Sequence, residues 1–387
     1  MSFLKGYGDY QMQPDHTSLR NYWIDGEVVI MADLYDEFHQ RVQHAPREIL
    51  RKQVEKADNL GFQIFCASEL EYFPFKKTAK TNWDEKYKNL ELLAQYPEDY
   101  NLMIGDRNEE LIYAMRKALN HSGLKVETSK GEAGTSQHEI NIKYSDPMTM
   151  ADHHVYYKNI MKHVADKFGK TVTFMAKPFQ DQPGSSCHIH LSLFDKKGNN
   201  VFQGNDVVLC EKRHLTASKN LLYFLGGWMK HVLDVFPFYA PYVNSYKRFV
   251  TSSWAPTNLT AWSVDNRTSP FRIVGNGQSL RIEFRIPGAD VNPYLAFAAS
   301  IASGLDGIEN KIEPPKISSG NIYDDKNLMP APKNLEKALD FFERSEFSKI
   351  FLGENIQKHY LNIYRIESNL YNHVVTDFEL KRYFDQA

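Results

Sequence analysis

Four short stretches of this chain put acidic, imidazole and guanidinium side chains at alternate positions. In residues 62–73 they are Glu69 and Glu71; in 137–144, Glu139 with Gln137 and Asn141; in 188–194, His188 and His190 with Ser192; and in RIEFRI (281–286), Arg281, Glu283 and Arg285. Residues two apart on a strand point to the same face, about 7 Å from one another. One such strand is ordinarily the solvated outer face of an antiparallel sheet. Together, these four faces are concentrated in Glu, His and Arg and nearly lack Lys, unlike a solvent face. If the strands are neighbours, Glu69, Glu71, Glu139 and Glu283 crowd together. Like charges about 4 Å apart cost on the order of 4 kcal/mol per pair near a protein surface, so a cation must sit between them. Oxygen ligands with an imidazole suit Mg²⁺ or Mn²⁺ better than a thiolate-rich zinc site.

Arginines supply the complementary half. Arg248, Arg267, Arg272, Arg281 and Arg285 fall within 38 residues. A guanidinium fork matches carboxylate and phosphate oxygens, although each arginine alone would ordinarily be a surface or ion-pair residue. Carboxylates for metals with arginines for anions suggest phosphoryl transfer from a nucleotide, where catalysis is mainly positioning and charge neutralisation.

The elements that must position these groups are partly legible. Each strand has an apolar face: Phe62, Ile64, Leu70 and Tyr72; Ile140, Ile142 and Tyr144; Ile189, Leu191 and Leu193; Ile282, Phe284 and Ile286. Pro46 opens a helix over REILRKQVEKADNL, with Ile49, Leu50, Val54, Ala57 and Leu60 on one face and Gly61 as the stop. Asp146 and Pro147 open another carrying Met150, Ile160, Met161 and Val164, and helical patterns recur near 215–235, 293–310, 334–351 and 355–384. The remainder reads as strands and loops, most loop-like over 312–334, with no internal repeat.

Composition bounds the function classes. The chain has 387 residues, 42% of them hydrophobic, and a formal net charge of −2. This is a globular, enzyme-like composition with no global field to attract nucleic acid or an anionic membrane. Cys66, Cys187 and Cys210 form no CxxC pair, which suits a reducing compartment, and no signal peptide or membrane span is visible, so a cytoplasmic protein is expected. FGKT (168–171) is not a phosphate loop, because the preceding glycine is missing and the order is helix then strand. Cys187 alternates away from His188 and reads as a core residue. His188 and His190 alone are a weak zinc signal. His153, His154 and His163 are expected to face solvent from a helix.

These residues resemble the catalytic domain of glutamine synthetase, through nearly the whole chain. SELEYF (68–73) resembles the family's first metal-ligand strand, EAGTSQHEI (132–140) its second segment, and KPFQDQPGSSCHIHLSL (177–193) its glycine-rich loop and histidine strand. NSYKRFVTSSWAP (244–256), WSVDNRTSPFR (262–272) and RIEFRIPGADVNPYLA (281–296) are similar to three further signatures, in the family's order. LGENIQKHY and VTDFELKRY also resemble family helices. The resemblance implies an α/β (α+β) fold, with an antiparallel curved sheet forming an open half-barrel backed by helices. It implies two to three Mg²⁺ or Mn²⁺ ions, with Glu71, Glu132 and Glu139 on one and Glu69, His188 and Glu283 on a second. Arg267, Arg272 and Arg281, with His190 and Ser192, would meet ATP or the transferred phosphoryl group; Arg248, Arg285 and Gly184 would meet glutamate. The family's chemistry forms γ-glutamyl phosphate, which an amine then attacks. A homo-oligomer, with small-molecule partners only, is implied.

Two departures refine this. Where glutamine synthetase carries a flap glutamate that takes a proton from ammonium, this chain has Trp254, which cannot act as a base and whose ring suits an amine with a carbon chain. Similar tryptophans and the GSSCHIH wording are found in γ-glutamyl-amine ligases of polyamines or monoamines. Pro183 replaces an asparagine before Gly184. At the front, residues 1–13 resemble only a remnant following the family's β-grasp domain, with 14–387 as the catalytic domain. The expected function is therefore ATP-dependent ligation of an organic amine to the γ-carboxyl of glutamate. Ordinary glutamine synthetase and a catalytically silent structural homologue are the alternatives.

Overall fold

The computed structural model describes residues 8–250 and 254–387; the start of the expected N-terminal remnant and residues 251–253 within NSYKRFVTSSWAP lie outside the described residues. Two small antiparallel pairs come first, β1 (Gln11–Pro14) with β4 (Ala32–Tyr35) and β2 (Arg20–Asn21) with β3 (Val28–Val29). Helix α1 (Pro46–Asn59) then leads into the long strand β5 (Phe62–Phe75), followed by α2 (Ala79–Asp84), α3 (Leu102–His121), β6 (Val126–Gly131), β7 (His138–Ile142), α4 (Pro147–Lys167), β8 (Thr171–Thr173) and β9 (Cys187–Asp195). A hairpin, β10 (Val207–Cys210) and β11 (Leu215–Ala217), precedes α5 (Lys219–His231), α6 (Lys247–Val250), β12 (Trp262–Val264), β13 (Phe271–Val274) and β14 (Arg281–Phe284). The chain finishes with α7 (Pro293–Asn310), α8 (Leu335–Arg344), α9 (Glu346–Leu352), α10 (Glu354–Asn372) and α11 (Asp377–Tyr383).

The central sheet runs β12-β13-β14-β9-β5-β7-β6, with β8 also on β5. Strand β5 is the spine: Phe62 to Leu70 pair with Asp195 to Cys187 of β9, Glu71 and Tyr72 with β7, and Phe73 to Phe75 with β8. One pair departs from the expected antiparallel order. Strands β12 and β13 are parallel, Trp262 opposite Phe271. Because β12 has only three residues, the short stretch 265–270 brings the chain back to its start without the long crossover that parallel strands usually need.

The alternation read from the sequence holds except at Tyr144, which lies beyond the end of β7 and is exposed. Ile64, Leu70, Tyr72, Ile140, Ile189, Leu191, Ile282 and Phe284 are buried in one core with Ile49 and Leu50 of α1 and Met150, Ile160 and Met161 of α4. Helices α1 and α4 pack on β5, while α5 and α7 pack on each other. Glycine permits that last approach: a Cβ at Gly307 would stand 2.0 Å from the Tyr223 carbonyl oxygen and one at Gly227 2.3 Å from that of Ser303. The N-terminal strands are tied on by Arg47, which is buried. It grips Asp152 of α4 with two bonds (3.1 and 3.0 Å), Asp33 at 2.5 Å and Asp15 at 2.6 Å. No described helix is long and apolar enough to cross a membrane.

Several local expectations are corrected. Helix α3 is absent from the sequence reading, although Asn101 caps it and Leu111, Ile112, Met115, Ala118 and Leu119 bury one face. The helix expected over 334–351 is two, because the Ser345 side chain caps a new start at α9. That expected over 355–384 is also two, broken by Val374 and Val375 before the Thr376–Glu379 capping box. Leu60 is exposed rather than on the core face of α1. His153 and His154 are buried, not solvent-facing. The stripe of Met150, His154, Tyr157 and Met161 lies against the sheet, and His154 Nδ1 is 3.1 Å from Ser68 Oγ. His163 is exposed, as expected.

Candidate active site

The strand order makes the four polar faces one surface. Across β7, β5, β9, β14 and β13 the register places Glu139 opposite Glu71, Glu69 opposite His188, His190 opposite Glu283, and Glu283 opposite Arg272. This row lines a cavity of about 990 Å³, whose wall also includes Glu132, Gly184, Arg267, Arg281, Arg285 and Trp254. Two groups of donors could each hold a cation: Glu69, His188 and Glu283, and Glu71, Glu139 and His188, the ligand atoms in each lying within 4.8 Å of one another. Carboxylate oxygens with one imidazole nitrogen fit a divalent cation such as Mg²⁺ or Mn²⁺. The first group is the one implied for the second ion. In the other, Glu71 and Glu139 are joined by His188 rather than Glu132, whose side chain lies in the cavity wall but is paired with Lys130.

The electrostatics show how unevenly the row is compensated. Glu71, Glu139 and Glu283 are 8%, 4% and 1% exposed. Burial raises the Glu139 carboxyl and the Glu69 and Glu71 charges add to that, placing it at about 7, with the Asn141 amide at 2.9 Å and Lys130 at 3.7 Å as partial compensation. Burial would raise Glu69 and Glu283 too, but charge outweighs it. His190 and His188 hold Glu69 well below the usual carboxylate range, and His190, Arg285 and His188 hold Glu283 at about 2. His188 Nδ1 is 3.2 Å and His190 Nε2 2.9 Å from the Glu69 carboxylate. Glu71 accepts from the Ser186 backbone at 2.7 Å and the Gln137 amide at 3.1 Å. The acidic excess is therefore greatest at the β5–β7 junction.

The arginines divide into two kinds. Arg272 and Arg285 both donate to Glu283, at 2.7 and 2.6 Å, and Arg272 is further pinned by Asp265. Arg281 donates to His190 Nδ1 at 3.1 Å, while Arg267 is exposed in the cavity wall. Arg248 differs from its expected place. It is 1% exposed, outside the cavity lining, and donates to Ser186 Oγ at 2.7 Å and the Ile286 carbonyl at 2.9 Å. It packs behind Gly184, where a Cβ would come within 2.6 Å of Arg248 Cγ. Ser192 likewise lies outside the main cavity, in an adjoining pocket of about 530 Å³ shared with Glu69, His190 and Arg281 and flanked by Phe65, Tyr144 and Phe194. Sequence reasoning had not singled out Asp265, Ser186 or Tyr323. Asp265 sits within the quoted WSVDNRTSPFR, so its proximity to Arg272 was available; the other two depend on tertiary contacts.

Residues 43–383 match the family model described as glutamine synthetase, catalytic domain. The chain is 39% identical over 386 residues to gamma-glutamylethanolamide synthetase of Streptomyces coelicolor, covering 100% of this chain and 81% of that protein. It is 34% identical over 386 residues to a glutamate–isopropylamine ligase of a Pseudomonas species (98% and 82%) and 34% identical over 362 residues to glutamine synthetase of Methanosarcina mazei (92% and 78%). A solved structure titled as a GmaS/ADP complex superposes with a TM-score of 0.87 at 28% identity, covering 98% of this chain and 86% of that one. By these matches, with the four polar strand faces adjoining in one cavity, the chain belongs to the glutamine synthetase catalytic-domain family.

Proposed function

We propose that the protein is an ATP-dependent ligase joining an organic amine to the γ-carboxyl of glutamate. Membership of the family carries the ligase chemistry. The choice of amine is carried by Trp254, a residue 73% exposed at the wall of the same cavity as the carboxylate row. An indole offers an organic ammonium a cation–π face and apolar area, and no group able to take its proton. The relatives named for γ-glutamylethanolamide synthesis and for ligating isopropylamine to glutamate support the same choice.

In this reading Glu69, His188 and Glu283 hold one divalent cation, and Glu71 and Glu139, with Glu132, hold another. Such cations, Mg²⁺ or Mn²⁺, would supply charge neutralisation for phosphate oxygens. Arg267, Arg272 and Arg281 bind the phosphates of ATP and stabilise the transferred group. The pocket of Ser192 and His190, with its aromatic flank, suits the nucleotide base. Arg285 and the Gly184 wall receive glutamate, and Arg248 braces that wall from behind through Ser186. The γ-phosphoryl group passes from ATP to the γ-carboxylate of glutamate. The amine nitrogen then attacks the acyl carbon, phosphate leaves and the nitrogen loses a proton, giving an N-substituted glutamine, ADP and phosphate. Cys66 and Cys187, free and buried, suit a reducing compartment and support a cytoplasmic location.

The test is product mass. Purified protein with ATP, Mn²⁺ or Mg²⁺, glutamate and one of ethanolamine, isopropylamine, putrescine or spermine is expected to form the γ-glutamyl amide. Glutamine from ammonium alone would restore glutamine synthetase. Absence of product, with neither ATP nor Mn²⁺ bound in calorimetry, would establish a silent homologue.

A further inference from the structure

We infer that Tyr323 is a positioning residue for the amine, its hydroxyl latching the backbone of Trp254 and so setting where the indole stands. Trp254 is 73% exposed, so packing holds little of it. Its φ of 31° lies in the left-handed region that bulky L-residues avoid, a conformation that persists only where surroundings impose it. Among the described residues, the contact on its backbone is the Tyr323 hydroxyl, which donates to the Trp254 carbonyl at 2.6 Å.

Tyr323 can act as a fixed post because its own loop is anchored. Ile322 beside it is 2% exposed. The Ile322 amide donates to Thr268 Oγ at 3.0 Å, the Asn258 amide side chain donates to the Ile322 carbonyl at 2.8 Å, and Asn266 donates to the Gly320 carbonyl at 2.8 Å. Thr268 adjoins Arg267, and Arg267, Thr268, Trp254 and Tyr323 all line the one cavity. The loop thus fastens the stretch carrying the indole to the stretch carrying a phosphate-facing arginine. Loss of one hydroxyl frees the carbonyl of Trp254 and leaves the tyrosine ring, the loop anchors and the metal-ligand strands in place.

The inference rests on the reading of Trp254 as the amine-facing wall, and the experiment separates the two. Tyr323→Phe, Trp254→Ala and the double variant are compared with the parent, using whichever of ethanolamine, isopropylamine, putrescine and spermine the parent turns over fastest. A neutral hydrogen bond of this kind corresponds to roughly a five- to tenfold effect. Tyr323→Phe should raise KM for the amine by about that factor, with kcat and the KM values for glutamate and ATP within about twofold. Trp254→Ala should raise the same KM at least as much, and the double variant should add nothing further. If Trp254→Ala raises the amine KM and Tyr323→Phe leaves it unchanged, the latch is refuted while the amine reading stands. If Tyr323→Phe moves all the constants together, its role is general support and the latch is again refuted. If Trp254→Ala leaves the amine KM unchanged, the amine reading itself fails and takes the latch with it.

Discussion

The Glu71–Glu139 pair offers the sharpest test of whether the carboxylate row exists to hold cations. Glu139→Gln keeps the shape and the hydrogen-bonding oxygen and removes the charge. Without a cation, a carboxyl raised from 4.5 to about 7 disfavours its ionised form by ~3 kcal/mol, at about 1.4 kcal/mol per pH unit. The folded state of the parent keeps a proton on Glu139 between pH 4.5 and 7 that the unfolded chain has lost. This contribution is thus fully present below about 4.5 and lost as the pH rises through about 7. In EDTA at pH 8 the variant should therefore melt higher than the parent, by about 3–4 °C for a chain of this size. At pH 4.5 the two should converge. With Mn²⁺ the order reverses: the parent gains stability by ligand linkage, the variant gains less, and its turnover falls at least about 10²-fold. Scanning calorimetry at the two pH values, with EDTA or Mn²⁺, reads the melting shifts, and steady-state phosphate release reads the turnover. A variant that melts below the parent in EDTA at pH 8, or that retains the full Mn²⁺ shift, would refute the reasoning.

Further outcomes follow from other named contacts. Glu283→Ala should lower turnover at least about 10²-fold, because it removes a cation donor and leaves Arg272 and Arg285 without the carboxylate they share; steady-state phosphate release measures it. Arg47→Met should destabilise the fold by about 3–5 kcal/mol, since Asp152, Asp33 and Asp15 lose their common partner; urea unfolding at pH 7 measures it. Burial, with the Arg20 charge, lowers His153 to about 4, so the unfolded chain binds a proton there first as the pH drops. Stability should accordingly fall between about pH 6.5 and 4, and His153→Gln should flatten that part of the curve without changing turnover at pH 8.

The sequence made the local features of the site readable and the long-range ones not. Alternation in β5, β9 and β14 placed Glu69 with Glu71, His188 with His190, and Glu283 with Arg281 on common faces, because period two is a property of each strand alone. That β5 lies between β9 and β7, so that Glu139 meets Glu71, depends on pairing between distant segments, which no periodicity encodes. Arg248 shows the same limit: the resemblance suggested a substrate contact, yet the chain carries it behind Gly184 and Ser186. Tyr323 lies in a stretch legible only as a loop. Other misses were avoidable. The apolar spacing from Leu111 to Leu119 was sufficient for α3 despite the polar run before it. His154 shares a helical stripe with Met150 and Met161, so its burial could have been read.

Whether the cavity ligates an organic amine to glutamate is decided by comparing kcat/KM for ammonium and for the organic amines at fixed ATP, glutamate and Mn²⁺. At least one of ethanolamine, isopropylamine, putrescine or spermine should exceed ammonium by about 10²-fold or more, and Trp254→Ala should erode this preference. Saturation by ammonium at low millimolar concentration, with no turnover of any organic amine, would contradict it.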